Sequence, residues 1–160
     1  MNRLIYPSAW ITALMLACTV SAAALAAEAK GDYTVVTPDA LEWQEGPDFI
    51  EPGAELAVLA GNPVEGAFTA RLKFPADYDI HAHEHTAHKY LTVISGTLHI
   101  GFGDELDKSD GMALEAGSFV KVPAGQHHYE WFEEETVLQV HMNEAIEVIY
   151  ADPEKDPRNQ

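Results

Sequence analysis

Four of the chain's eight histidines fall between positions 81 and 88, in the run Ile80-His81-Ala82-His83-Glu84-His85-Thr86-Ala87-His88-Lys89. On an extended strand residues i and i+2 point to the same side, so His83 and His85 converge on one point and His81 can join them from the same face. Imidazole nitrogens suit zinc, copper, iron and nickel, and two or three on one face make an open transition-metal site. A lone histidine is more often a hydrogen-bonded core or surface residue, whereas His-x-His-x-His points to metal. Glu84 lies on the opposite strand face and ranks below His81 as an additional ligand.

A second concentration is Gly117-Ser118-Phe119-Val120-Lys121-Val122-Pro123-Ala124-Gly125-Gln126-His127-His128. A strand ends here in a Pro-x-Gly turn, and a histidine begins the return strand. Pro123 presets φ and Gly125 permits the reversal, so turn chemistry accounts for both. It does not account for His128.

The elements that must position these residues read as short strands. Phe68, Ala70, Leu72 and Phe74 alternate with Thr69, Arg71 and Lys73, the period of 2 of a half-buried strand. Further strands are expected over 54–60, 90–101, 118–122, 128–132, 136–142 and 146–150, separated by turn clusters such as Gly61-Asn62-Pro63 and Ser109-Asp110-Gly111. Outside residues 1–26 no stretch has a convincing helical period. Many short strands with Gly/Pro turns predict an all-β antiparallel sandwich or barrel.

The 160 residues carry 26 Asp+Glu against 9 Lys+Arg, a formal net charge of −17, and 47% are hydrophobic. One domain that buries a core is the expectation, and the acidity argues against nucleic-acid and anionic-membrane partners. Arg3, the uncharged apolar run 4–20 and the step Ala24-Leu25-Ala26 form the pattern of a secretory signal peptide over 1–26. Cleavage there removes Cys18, the only cysteine, and with it any thiol chemistry in the mature protein. Such a protein is expected to be secreted, in a bacterial periplasm, with no membrane attachment after cleavage. Residues 27–52 read as an arm anchored by Trp43 and Phe49, 53–150 as the barrel domain, and 151–160 as a mobile acidic tail.

The two histidine segments together resemble the cupin superfamily, whose first motif is G-x5-H-x-H-x3/4-E-x6-G and whose second is G-x5-P-x-G-x2-H-x3-N. His83, His85, Lys89 and Gly96 match the spacing of the first, with Lys89 where glutamate is expected. Gly117, Pro123, Gly125 and His128 match the second at every spacing, with Phe132 where its asparagine would stand. The resemblance covers roughly 67–150 and implies a double-stranded β-helix, the jelly-roll barrel, with a metal in its mouth. Carried over residue by residue, it makes His83, His85 and His128 the ligands. A protonated lysine has no lone pair to donate, so Lys89 points away, is deprotonated by burial and the metal, or marks a degenerate site. His81 is the candidate substitute.

Gln139 and His141 share one face of a late strand expected to line the same barrel. With Phe119 and Phe132 they are the candidate ligand pocket, and Phe74 and Val93 are further wall candidates. His88 and His127 are expected on the face away from the ligands, and His99 in a structural role. The loop 103–111 lacks the alternating Asp/Asn of a calcium site. No nucleophile motif, phosphate loop or dinucleotide fingerprint is present.

Three functions follow as expectations. The first is an iron-dependent dioxygenase on a small molecule, because some cupins bind iron through three histidines without a carboxylate; an isomerase or lyase ranks lower. Manganese, nickel, copper or zinc could fill the same site. The second is a non-catalytic periplasmic module for a small molecule or metal. The third is a metal-free structural homodimer, and a homodimer is the expected assembly in any of the three.

Overall fold

The computed structural model describes residues 33–160. The expected signal peptide, 1–26, and the start of the arm, 27–32, lie outside the described residues. The strands are β1 (Gln44–Glu45), β2 (Glu55–Gly61), β3 (Phe68–Phe74), β4 (Tyr78–Glu84), β5 (Lys89–Ser95), β6 (Thr97–Phe102), β7 (Met112–Glu115), β8 (Phe119–Val122), β9 (His128–Phe132), β10 (Thr136–Met142) and β11 (Ile149–Tyr150). They form a six-stranded sheet in the order β1-β2-β3-β10-β5-β8 and a five-stranded sheet in the order β11-β4-β9-β6-β7. Every ladder between these strands is antiparallel. This is the expected all-β jelly roll.

Alternation builds the core between the sheets. On β3 Phe68, Ala70 and Phe74 are buried, with Leu72 packed against them, and on β10 Thr136, Leu138, Val140 and Met142, while the residues that alternate with these face outward. Phe74 and Phe132 stack across the gap with ring centroids 4.1 Å apart. β9 departs from the pattern because all five of its residues are buried. Its inner face carries His128, Glu130 and Phe132, and its outer face carries Tyr129 and Trp131, which form a smaller cluster with Ala82. The Tyr129 hydroxyl donates to the carbonyls of Asp107 and Asp110, so the acidic loop after β6 is tied down as a cover.

The stretch 90–101, expected as one strand, is two, with β5 in the six-stranded sheet and β6 in the five-stranded one. Gly96, at φ 73°, turns β5 into β6, a left-handed conformation that favours glycine. Gly101 serves packing instead: a Cβ there would lie 2.2 Å from the Tyr129 ring.

The arm from Thr34 onward reaches the barrel through β1, paired with β2. The Gly46 amide donates to the Ala54 carbonyl at 2.8 Å. Beyond it, the Tyr150 hydroxyl donates to the Phe49 carbonyl at 2.8 Å and the Tyr78 hydroxyl donates to that of Glu51. Burial pushes both phenols well above their ordinary pKa, so they remain donors. Trp43 lies under the Lys73 ammonium, 4.8 Å from its ring centre.

The C-terminal residues, expected as a mobile tail, wind into two 3-10 turns, Pro153–Lys155 and Pro157–Asn159. Asp152 and Asp156 cap them. Arg158 ties the segment back through a bond from Nη2 to the Val148 carbonyl at 2.9 Å.

Candidate metal centre

β4 and β9 run side by side in the five-stranded sheet, with His83 opposite His128. The register slips by one residue between them: Ile80 faces Glu130, and His83 faces His128. Three steps on β4 therefore oppose two on β9, which is a β-bulge. The extra residue reverses the inside-outside parity. Ile80 and His83 both point inward, while His81 and Ala82 share a shallow outer depression with Asp104, Glu105 and Asp152. His81, expected on the face of His83 and His85, is thus turned away from them, because the period of 2 holds only where the ladder is unbroken.

His83, His85 and His128 each bring a donor nitrogen to one place, and these atoms lie within 4.8 Å of one another. All three side chains are buried, at 3%, 4% and 0% exposure. Each Nδ1 faces a backbone carbonyl: His83 that of His81 at 2.8 Å, His85 that of Glu147 at 2.6 Å, His128 that of Gln126 at 3.0 Å. A carbonyl only accepts, so every ring carries its proton on Nδ1 and leaves the Nε2 lone pair free. The Nε2 atoms of His85 and His128 are buried without a hydrogen-bond partner, a state that native proteins rarely tolerate without a ligand.

Burial and then the Lys89 charge push the His85 and His128 rings down to about 2, against the opposing pull of their carbonyl bonds. Burial, followed by the neighbouring His128, drives His83 well below its ordinary value. The three imidazoles are therefore neutral, tautomerically fixed and aimed at one point. That donor set fits a divalent transition metal.

Lys89, at the start of β5, is buried at 6% exposure and does not point away. Its Nζ donates to Glu130 Oε1 at 2.8 Å, in an ion pair whose partners are both buried. That same Oε1 lies 3.9 Å from His128 Nε2. Sequence reading passed over Glu130, although its signal was present: His128-x-Glu130 is the same i, i+2 relation that joins His83 to His85. The three carbonyl acceptors had no signal in side-chain types at all.

A cavity of about 130 Å3 opens onto this group. Its walls include Phe49 and Ile50 of the arm, Phe74 of β3 and Leu138 and Val140 of β10, and its polar side chains are His83, His85, Lys89 and Glu130. Phe74 was an expected wall residue, whereas the other residues expected to line a pocket are not among those lining this cavity. Gln139 and His141 sit on the outer face of β10, because Leu138 and Val140 take the inner one. His141 is held there by Thr69 Oγ1 at 3.0 Å and Asn143 Oδ1 at 3.1 Å. Phe119 is 62% exposed on β8, beside Tyr90. Phe132 does face inward, but it packs behind Phe74 in the core and does not line the cavity.

Of the remaining histidines, two are held by hydrogen bonds or ion pairs and His99 by stacking, its Nδ1 buried without a partner. His88 Nδ1 accepts the Ala124 amide at 2.9 Å and braces the turn that presents His128. His127 lies between Asp104 at 2.5 Å and Glu84 at 3.3 Å. His99 stacks on Trp131 with centroids 5.0 Å apart.

Comparison with known proteins finds this fold in a wide group of solved structures. A Methylibium petroleiphilum protein provisionally named an acetylacetone dioxygenase superposes with a TM-score of 0.62 at 19% identity, over 80% of this chain and 87% of its own. The polyketide cyclase RemF from Streptomyces resistomycificus gives 0.62 at 14% identity, over 78% and 89%. An RmlC-like cupin from Shewanella frigidimarina gives 0.54 at 16% identity, over 68% and 88%. At these identities the likeness is one of fold. No curated protein matches the sequence. Residues 31–147 match the family model described as the ChrR cupin-like domain, and the chain belongs to that family of cupins.

Proposed function

We propose that this chain is an exported cupin whose His83, His85 and His128 hold a divalent transition metal, iron first, and that it acts as a dioxygenase on a small molecule. The observation that carries the metal is the pair of buried, partnerless Nε2 atoms on His85 and His128, with both Nδ1 atoms committed to carbonyls. Bound iron would supply open positions for dioxygen and for a chelating substrate. The protein's own residues do the rest. The apolar walls exclude water, and the cavity of about 130 Å3 is close in size to an engineered cavity of roughly 150 Å3 that holds benzene. A single ring or a short branched chain is therefore the size class. Lys89 and Glu130 are the polar groups that such a substrate's head would meet besides the histidines.

The test is elemental analysis of protein made without a histidine tag, followed by oxygen consumption with acetylacetone and other small diketones and phenols. About one metal per chain, lost in His83→Ala, with oxygen uptake on one of these compounds, is the expected result. Absence of metal from the wild-type protein overturns the reading.

A binding module without turnover shares the whole site, and Lys89 at the family's carboxylate position is the feature in its favour. Metal and ligand binding without oxygen uptake would select it. Export and a homodimeric assembly belong to the same proposal, and fractionation and sizing chromatography test them.

A further inference from the structure

Lys89 and Glu130 form a buried ion pair beside three metal-ready histidines, and the pair's geometry is specific. Glu130 Oε1 stands 3.9 Å from His128 Nε2, inside the 4.8 Å spread of the histidine donors themselves. The carboxylate sits on the same inner face of β9 as His128, two residues on. Lys89 approaches from the other sheet and holds that oxygen at 2.8 Å.

We propose that Lys89 is a latch: it holds the Glu130 carboxylate off the three-histidine centre and so keeps a coordination position open toward the apolar cavity. The inference rests on the metal reading above. Where the cupin pattern places a carboxylate, this chain places an ammonium, and the carboxylate is found instead on β9, engaged by that ammonium. Lysine and glutamate cancel each other's charge, and the three imidazoles are neutral. A divalent ion in the site therefore keeps its full double charge, where a ligating carboxylate would halve it. The open position then suits an anionic, chelating head group such as a carboxylate or an enolate. Lys89 is a positioning residue in this scheme, since it acts through Glu130.

Cobalt(II) is the probe, because its visible absorption reports the number and type of ligands without turnover. Wild type, Lys89→Met and the double variant Lys89→Met/Glu130→Leu are titrated with cobalt(II), then with azide. In Lys89→Met the freed Glu130 should bind, tightening cobalt(II) about tenfold or more, by analogy with the 10–100-fold scale of changes around a metal. Its spectrum should change, and azide should no longer perturb it. The double variant, which replaces both charges with apolar groups and should fold, should return to wild-type affinity within about threefold, inside that same scale, and should regain the azide response. Lys89→Met and wild type with the same affinity and spectrum would overturn the latch while leaving the metal site standing. Weaker cobalt(II) binding in the double variant than in wild type would make Glu130 a ligand already and would also overturn it. Wild type that binds no cobalt(II) would remove the metal reading and the latch with it.

Discussion

The two faces of the β4–β9 pair carry the same kinds of residue, histidine beside carboxylate, and differ in their access to water. On the inner face His128 is fully buried, with Glu130 at 3% side-chain exposure near it. On the outer face His127 is 32% exposed and its partner Asp104 is 80% exposed. The outer group can satisfy its charges with solvent and with Glu84. The inner group cannot, so its histidines are held neutral and its one carboxylate is bound to Lys89. Adjacent residues at the entry to β9, alike in type, are thereby suited to different tasks by which side they face.

The largest break between the faces should appear in metal content. His128→Ala should lower metal affinity by roughly 100-fold or more, at or beyond the range typical of outer partners, while His127→Ala should stay within about threefold of wild type. Elemental analysis and cobalt(II) titration measure both, and equal effects would erase the distinction.

Stability of the metal-free protein comes next. Lys89→Met strands a buried carboxylate and should cost about 3–5 kcal/mol in denaturant unfolding. The surface pair Lys73–Glu55, at 2.9 Å but 25% and 42% exposed, should cost at most about 1 kcal/mol on Lys73→Met. Similar costs at the two sites would mean that Glu130 gains water or a proton when Lys89 is lost.

The pH dependence sharpens the same contrast. The inner rings titrate far below an unfolded histidine, with His85 and His128 pushed down to about 2. The unfolded chain therefore binds protons that the folded one refuses, and stability is full above about pH 6.5 and falls as pH drops below it. Between pH 7.5 and 5.5 each of the three rings should contribute about 1.4 kcal/mol of loss, about 4 kcal/mol together. Metal-free His83→Ala should lose roughly one third less. A flat profile in the metal-free protein would contradict neutral burial.

The smallest effect is expected at His81. It shares its outer depression with acidic and solvent-facing groups, and His81→Ala should leave metal content unchanged and shift stability by no more than about 0.5 kcal/mol. Loss of metal in that variant would place His81 back inside the site.

Much of this was legible in the sequence where local rules hold. The Pro123-x-Gly125 turn and the motif spacing pointed to His128, and the period of 2 brought out β3 and the His83/His85 pair. Two failures share a cause, since each needed knowledge of a neighbouring strand. The bulge that turns His81 outward is an offset between β4 and β9, and one strand alone cannot record an offset. Gln139 and His141 were assigned inward because Leu138 and Val140 offered no contrast until β3 and β5 were known to flank them. Glu130 was hidden by expectation, since the family pattern directs attention to position 89.

Phe49 and Ile50 close one side of the cavity, yet no strand ladder holds them there. After the Gly46 amide, the arm is fastened to the barrel by two phenol hydroxyls, those of Tyr150 and Tyr78. Each such bond is worth about 1 kcal/mol net, far less than parting two paired strands. Lifting 47–52 off the barrel would break these two bonds and expose the buried Ile50 side chain while leaving both sheets paired.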